Sequence, residues 1–478
     1  MTDFSVIFAP YLLKTKAAFI GSTFNSDMIL LAFNWSSFGA NLGQFILAFS
    51  ILIILHELGH FLTARWFGCR VEKFYLFFNP WFSLWKKKKG DTEYGLGWIP
   101  LGGYVKISGM IDESMDKEQM KKPPQPYEFR SKPAWQRLII MIAGVILNFL
   151  LAFAIFAMIL FVWGEEKLPV ANLKYGLSAD SLALTLGIKD GDKITGVNGK
   201  PLVYQNDLAR RMLLNDTVSL TVQRADKDTV IKFPDGFLSN LTKNKLNDFV
   251  SVRVPVIIDS VDEKSIKYVS GQFKKGDVLI GIENHPFQYY HEFDELKKQY
   301  KGKEVEFLAL RNGSDTVSVK VRLDDAGTVG FQARPAEKIF GTEKKEYSLL
   351  QSIPAGVKYG ITRLGEYMRG LRLLFTSKEH KVKDNLGSVI SIGKTFGGVW
   401  DWQRFWMMTA LFSIILAVMN ILPIPALDGG HALFTLIEMV TGRKPGDKFM
   451  EYAQLVGIVL LLGLMAYALG LDIFRLFK

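Results

Sequence analysis

Runs of apolar residues long enough to cross a lipid bilayer recur four times along the chain, at about residues 38–64, 138–163, 405–422 and 453–471. A bilayer core requires roughly 20 apolar residues in helical form, so each run predicts a spanning helix. Between the second and third runs, from about 164 to 401, the pattern changes. Apolar and polar positions alternate there in short stretches punctuated by glycine, asparagine and aspartate, which predicts strands and tight turns in water. Two copies of one pattern lie within this insert. Residues 187–199 read Gly-Ile-Lys-Asp-Gly-Asp-Lys-Ile-Thr-Gly-Val-Asn-Gly, and residues 273–284 read Phe-Lys-Lys-Gly-Asp-Val-Leu-Ile-Gly-Ile-Glu-Asn. Each copy continues into paired alternating strands, 218–223 with 229–233 and 305–310 with 316–321, the latter turned at Asn312-Gly313. Glu283-Asn284-His285 stands where the first copy leads one to expect Val-Asn-Gly.

Residues 345–376 carry Leu349, Leu350, Ile353, Val357, Ile361, Leu364, Met368, Leu371 and Leu374 at helical spacing with basic residues between them. Two readings fit this pattern, an amphipathic helix on the outer membrane surface or a packed core helix. Composition agrees with a mixed protein. The 478 residues are 49% hydrophobic, and a mean hydropathy of +0.15 is too low for a chain that is membrane throughout.

Charge orients the spans. Arg65, Arg70, Lys73, residues 86–89, Lys121, Lys122, Arg130, Lys132 and Arg137 lie between the first two runs, and Arg443, Lys444 and Lys448 between the last two. Short basic loops stay cytoplasmic, which puts both termini and the insert outside, in the periplasm of a double-membrane bacterium. The net charge of +11 is then topology signal plus attraction to anionic membrane lipid, and no basic stripe interleaved with aromatics points to nucleic acid. The lone Cys69 excludes an internal disulfide framework. Residues 1–37 show no basic start followed by a cleavable apolar core, so no removable signal peptide is expected.

Against this apolar background His56, Glu57 and His60 stand out. Ionisable residues at membrane depth cost about 2.5–3.5 kcal/mol even on lenient scales, so they imply a function. The His-Glu-x-x-His spacing puts both imidazoles on one helix face within reach of a single zinc ion, and Glu57 can act on a water as general base. The motif is short and also occurs in proteins that bind no metal. A third ligand is expected at the end of the third run, where residues 420–431 read Asn-Ile-Leu-Pro-Ile-Pro-Ala-Leu-Asp-Gly-Gly-His. Pro423 and Pro425 break the helix where irregular backbone is tolerated only in protein or beside a wet cavity, and Asp428 is held on the break. His431 is expected to line the cytoplasmic mouth, since a fourth protein ligand would close a site that must stay open.

His56-Glu57-Leu58-Gly59-His60 together with Asn420, Pro423, Pro425 and Leu427-Asp428-Gly429 resembles the site-2 protease family of intramembrane zinc metalloproteases. The repeat resembles circularly permuted PDZ domains, and the tandem narrows the likeness to the bacterial type that regulates a stress sigma factor. The resemblance implies a membrane protein with a four-transmembrane α-helical catalytic core, a membrane-re-entrant β-hairpin, and two α+β, β-barrel-like PDZ domains inserted between the second and third spans. The implied layout is an extension 1–37, first span 38–64, a cytoplasmic loop 65–133 with the hairpin at about 93–110, second span 134–163, and PDZ domains 164–252 and 253–335. It continues with an amphipathic helix and substrate clamp 345–400, third span 401–430, a cytoplasmic loop 431–452 and fourth span 453–474.

The same resemblance implies one zinc ion held by His56, His60 and Asp428, with Glu57 as the catalytic base. It implies substrate contacts at Gly102, Gly103 and Tyr104 in the hairpin, at Asn148, at Asn385 in the clamp, and at Asn420, Pro423 and Pro425. Two local departures are evident: Gly387 is followed by Ser388 and Gly144 by Val145, where the family commonly has proline. Implied substrates are single-span membrane proteins already trimmed outside, such as an anti-sigma factor or a remnant signal peptide. The PDZ pair either takes a peptide as an added strand near Tyr175-Gly176-Leu177 or acts as a steric shield. A non-enzymatic membrane-anchored PDZ scaffold is the alternative function. An ion carrier would need an inverted repeat of hydrophobic segments, which the chain lacks.

Overall fold

A computed structural model describes residues 35–110, 123–225, 227–243, 249–262, 266–324, 327–377 and 389–476. The chain divides into two compact units, one built mainly on Glu165–Lys345 and one holding the helices on either side of it in sequence. Among the described residues of the helical unit, Ser36–Trp66, Ala134–Val162, Trp402–Ile421 and Lys448–Phe474 are long and apolar enough to cross a membrane. They coincide with the four apolar runs.

In order, this unit contains helix α1 (Trp35–Trp66), strands β1 (Val71–Phe78), β2 (Trp85–Lys89), β3 (Thr92–Leu96) and β4 (Ile99–Ile107), and helix α2 (Ala134–Val162). After the insert come α3 (Leu349–Thr376), α4 (Trp402–Ile421), α5 (Asp428–Thr441) and α6 (Asp447–Leu476). Helix α2 is the hub, packing against α1, α4 and α5. Lipid tails give apolar helices no hydrophobic reason to associate, so close approach and polar ties must do it. A Cβ on Gly59 of α1 would fall 2.5 Å from the carbonyl oxygen of Ala143, so only glycine lets α1 and α2 touch backbone to backbone. Ser413 Oγ of α4 donates to the main-chain oxygen of Asn148 at 2.7 Å, and Arg137 of α2 pairs with Glu438 of α5.

Helix α3 packs on α2 with one face and leaves apolar residues exposed on another. A Cβ on Gly356 would meet the Ala157 nitrogen at 2.4 Å, and Tyr359 stacks on Phe156 with centroids 5.0 Å apart. This is a packed seam against α2. Leu350, Ile353, Ile361 and Met368 remain exposed, as an amphipathic helix at a lipid surface would leave them.

Two expected segments differ. The hairpin over about 93–110 is not a hairpin. The sheet order is β2-β3-β1-β4, so β3 and β4 flank β1, parallel to it on one side and antiparallel on the other. Apolar alternation marks strands but does not say which strands pair, because the partner edge comes from elsewhere in the chain. The loop expected at 431–452 is half α5, whose helix begins at Asp428, and α6 already starts at Asp447. Residues 1–34 and Asn385 lie outside the described residues.

In the other unit the two repeats have separate cores, one around Ile194, Leu220 and Val222, the other around Leu279, Phe307 and Val321. The same polar bolt locks the turn of each. Arg224 donates from Nε and Nη2 to buried Asp192 at 2.7 and 2.6 Å, and Asp192 accepts from the Lys189 main chain. Arg311 does the same to Asp277 at 2.9 and 2.7 Å, and Asp277 accepts from Lys274 N. The strand that follows corrects the alignment by one position. Asn198 and Glu283 both turn left-handed, at φ 51° and 52°, and each side chain accepts from the main chain of the neighbouring strand, at Ser219 and Glu306. Glu283 therefore replaces Asn198, and Ile282 matches Val197.

The bolt sets a pH dependence. Burial pushes the Asp277 carboxyl up, but the paired Arg311 guanidinium and the Lys274 amide outweigh it and hold the group below the usual carboxylate range. A folded-state value below the unfolded one gives stability that is present above the unfolded value of about 3.9 and lost as pH falls through the folded value. Arg311→Met is expected to weaken the second repeat by roughly 1–3 kcal/mol at neutral pH, because the carboxylate stays buried without its partner. The effect should vanish once Asp277 is protonated. Hydrogen exchange of strand Val278–Ile282 in the intact protein, compared with wild type across pH, measures both.

Candidate metal centre and active site

The pitch of α1 brings His56 and His60 onto one face, and both are buried. Their Nε2 atoms lie 3.3 Å apart. Asp428 Oδ2 sits 3.0 Å from the first and 3.2 Å from the second. Among the described residues this is the group of histidine, cysteine and acidic side chains whose ligand atoms converge on one point. A tetrahedral zinc with bonds of about 2.0–2.1 Å needs donors roughly 3.3 Å apart, which the triangle matches closely. Oδ2 is within ion-pair distance of both imidazoles, yet no N–H is aligned on it as a hydrogen bond. The three atoms lie close enough together to hold one shared cation.

The remaining ring nitrogens explain why Nε2 would be the ligand atom. His60 Nδ1–H donates to the Ile140 carbonyl at 2.8 Å, leaving its Nε2 lone pair directed at Asp428. Asn148, fully buried on α2, lies 3.1 Å from His56 Nδ1. With its amide turned so that Oδ1 faces the ring, Asn148 accepts from Nδ1–H and gives an otherwise unpartnered Oδ1 its bond.

Asp428 reaches the histidines because the chain breaks after α4. Ile421 ends the helix, Ala426 adopts φ 79°, a left-handed conformation that costs a non-glycine residue about 1–3 kcal/mol, and α5 restarts at Asp428. The restart lies against the end of α4. A Cβ on Gly429 would be 2.3 Å from the Ile421 and Leu422 oxygens, and one on Gly430 2.5 Å from the Ile424 oxygen. Glycine at both positions is what allows so tight a reversal.

A cavity of about 330 Å³ opens beside the triad, walled by Glu57, Gly103, Tyr104, Leu427, His431 and Gln454 among others. Gly103 of β4 packs on α1, where a Cβ would be 2.6 Å from Ile53 Cγ2 and 3.5 Å from Glu57 Cγ. Asn420, on the last turn of α4, points Nδ2 at His56 Nε2 from 3.2 Å. His56, Glu57, His60, Gly103, Tyr104, Asn148, Asn420 and Asp428 are therefore gathered in one place. Gly102, Pro423 and Pro425 are not among them. Gly102 lies under the Phe78 ring, and Pro423 and Pro425 shape the break without walling the cavity. His431 walls the cavity but is outside the ligand group.

Two residues of this site carry no motif signal that the sequence reading used. Gly144 faces the metal position, where a Cβ would be 2.4 Å from His60 Nε2 and 2.8 Å from His56 Cε1. Gln454 is a polar residue at the start of an apolar run, a signal that membrane burial makes meaningful. Gly144→Ala is expected to push His60 off its position and cut zinc retention by at least about tenfold, since even loss of an outer partner costs 10–100-fold. Metal analysis after dialysis against a weak chelator tests this.

A profile described as Peptidase family M50 matches residues 44–464. The chain is 28% identical to the regulator of sigma-E protease RseP of Escherichia coli, over 94% of this chain and 100% of that protein. It is also 28% identical to the protein of that name in Salmonella typhimurium, over 91% and 99%. A Neisseria meningitidis protein whose name describes a zinc metalloprotease is 28% identical over 90% of this chain and 98% of its own.

Proposed function

As the chain belongs to peptidase family M50, and so to the zinc metalloproteases, we propose that it cuts the membrane-spanning segments of single-span proteins after their outer portions have been trimmed. The observation that supports this most is the convergence of His56, His60 and Asp428 on one point within helices long enough to span a bilayer. When bound, zinc supplies Lewis acidity, polarising the scissile carbonyl and making a water easier to deprotonate.

The chain's own residues do the rest. Glu57 takes the proton of the attacking water and passes it to the departing amine. Asn420, beside His56 Nε2, is placed to donate from Nδ2 to the carbonyl oxygen as negative charge develops there. Strand β4 ends its sheet and lines the cavity through Gly103 and Tyr104. It can hold a substrate extended, which cleavage requires because a helix hides its peptide bonds. The absence of a side chain at Gly103 keeps that strand close to Glu57.

The relatives that carry the name regulator of sigma-E protease support a membrane-bound anti-sigma factor as substrate, and a remnant signal peptide is a second substrate of the same single-span form. The basic loops support a bacterial inner-membrane protein with its termini and insert in the periplasm. The repeats act as PDZ-like domains, and the first acts by bulk rather than strand capture. Both main-chain groups of Leu177 are already bonded, the N–H to Asp192 O and the carbonyl from Gly191 N, and Leu177–Ala179 pairs with Val250–Val252. Among the described residues, Leu177 thus offers a peptide no free main-chain group.

Purified protein in liposomes with a single-span model substrate tests the function. Two fragments cut within the span are expected, lost with chelator and restored by zinc. An intact substrate despite bound zinc would leave only the scaffold reading.

A further inference from the structure

Gln454 of α6 has only 5% of its surface exposed. Its Oε1 is buried and finds no hydrogen-bond partner among the described residues. The residue walls the cavity that holds His56, Glu57, His60 and Asp428. An unpaired buried amide oxygen costs about 1–3 kcal/mol, and its neighbours Ala453, Leu455, Val456 and Gly457 show that this stretch of α6 otherwise avoids polar groups. Native structures rarely keep such an orphan without a use.

The position of Gln454 is set by the active site itself. One turn further along α6, a Cβ on Gly457 would fall 1.7 Å from the Pro425 oxygen. The α6 backbone therefore rests directly on the break that presents Asp428. Strand β4 contributes Gly103, Tyr104 and Val105 to the same cavity, and it is the last strand of its sheet.

A peptide added beside β4 points the N–H and C=O of alternate residues at that strand and those of the intervening residues away from it. The inward groups are satisfied by β4. The outward groups have left a helix, where they were paired, for a site with little water, and an unpaired amide there is costly. An acceptor elsewhere on the cavity wall removes that cost for one of them. We propose that Gln454 Oε1 accepts a hydrogen bond from an outward-facing main-chain N–H of the substrate, close to the scissile bond. The contact is to backbone, so it selects for an unwound, extended segment and is indifferent to the side chains it carries. This inference rests on the protease reading and adds a residue to it.

The test uses full-length protein in liposomes and a model span in which single amides near the cut are replaced in turn by esters, removing one N–H each. With wild type, one position facing away from β4 should lower kcat/KM about tenfold, as loss of a 1.4 kcal/mol contact does. In Gln454→Met the all-amide substrate should be cut about tenfold more slowly, with zinc content unchanged and no further loss from that ester. A merely structural role would slow amide and ester substrates alike, leaving the ester penalty in place, and that result overturns the proposal. Should the Met variant fail to fold, the wild-type scan still decides. A scan without a penalty at any outward position rules the contact out. Failure of wild type to cut the all-amide span would instead sink the protease reading on which the contact rests.

Discussion

Glu57→Gln is expected to lower cleavage of a model span by about 10³–10⁴-fold, while bound zinc stays near one per chain. Glu57 walls the cavity beside the triad but is not one of the three converging ligands. Glutamine preserves its shape and its fit against Gly103, so the helix and the metal position are undisturbed. What disappears is a group that can hold a proton between the attack of water and the departure of the amine. The expected loss corresponds to about 4–5.5 kcal/mol of barrier, within the range of a positioned general base. Turnover and metal content measured on one preparation separate the two effects. Cleavage within tenfold of wild type would remove Glu57 from the chemistry.

Asp428→Asn is expected to behave differently, losing zinc and activity together. The carboxylate would supply the third donor and the negative charge that offsets the metal, and a neutral amide of the same shape is a poor ligand. Two imidazoles on one helix turn remain, too few to retain the ion through dialysis. Because zinc binds the folded protein in preference to the unfolded one, it should raise the melting temperature of wild type but not of this variant. Asp428→Ala tests the same ligand and also removes the packing of the side chain. Full zinc occupancy in Asp428→Asn would require a different ligand set. Gly144→Ala completes the comparison: it should displace metal by steric contact, with all three ligands still in place.

Much of the site was legible because its parts are local or costly. Helical pitch alone brings His56 and His60 together, whereas Asn148 and Asn420 enter only through the family resemblance. The cost of ionisable groups at membrane depth marks the two histidines as functional. The proline-broken segment before Asp428 could be recognised for the same reason. Asn148 was expected to touch substrate, whereas the structure places it on His56 Nδ1. One-dimensional pattern does not distinguish a residue facing a ligand from one facing the ligand's holder. Gly144 was noted only for the residue after it, and its role follows from the approach of α2 to both imidazoles. Gln454 lies inside an apolar run, where its polar side chain is the available signal.

The sequence by itself determined the elements, namely four spans, a two-copy β-rich insert, and the residue types of a His-His-Asp centre, because periodicity and burial cost are properties of short stretches. Only the tertiary structure decided that β1 lies between β3 and β4, that a helix starts at Asp428, and that Gly59, Gly144 and Gly457 are the points where backbones meet. Those outcomes depend on which surfaces come together. A metal centre assembled from α1 and the break after α4 exists only once α2 holds both in place.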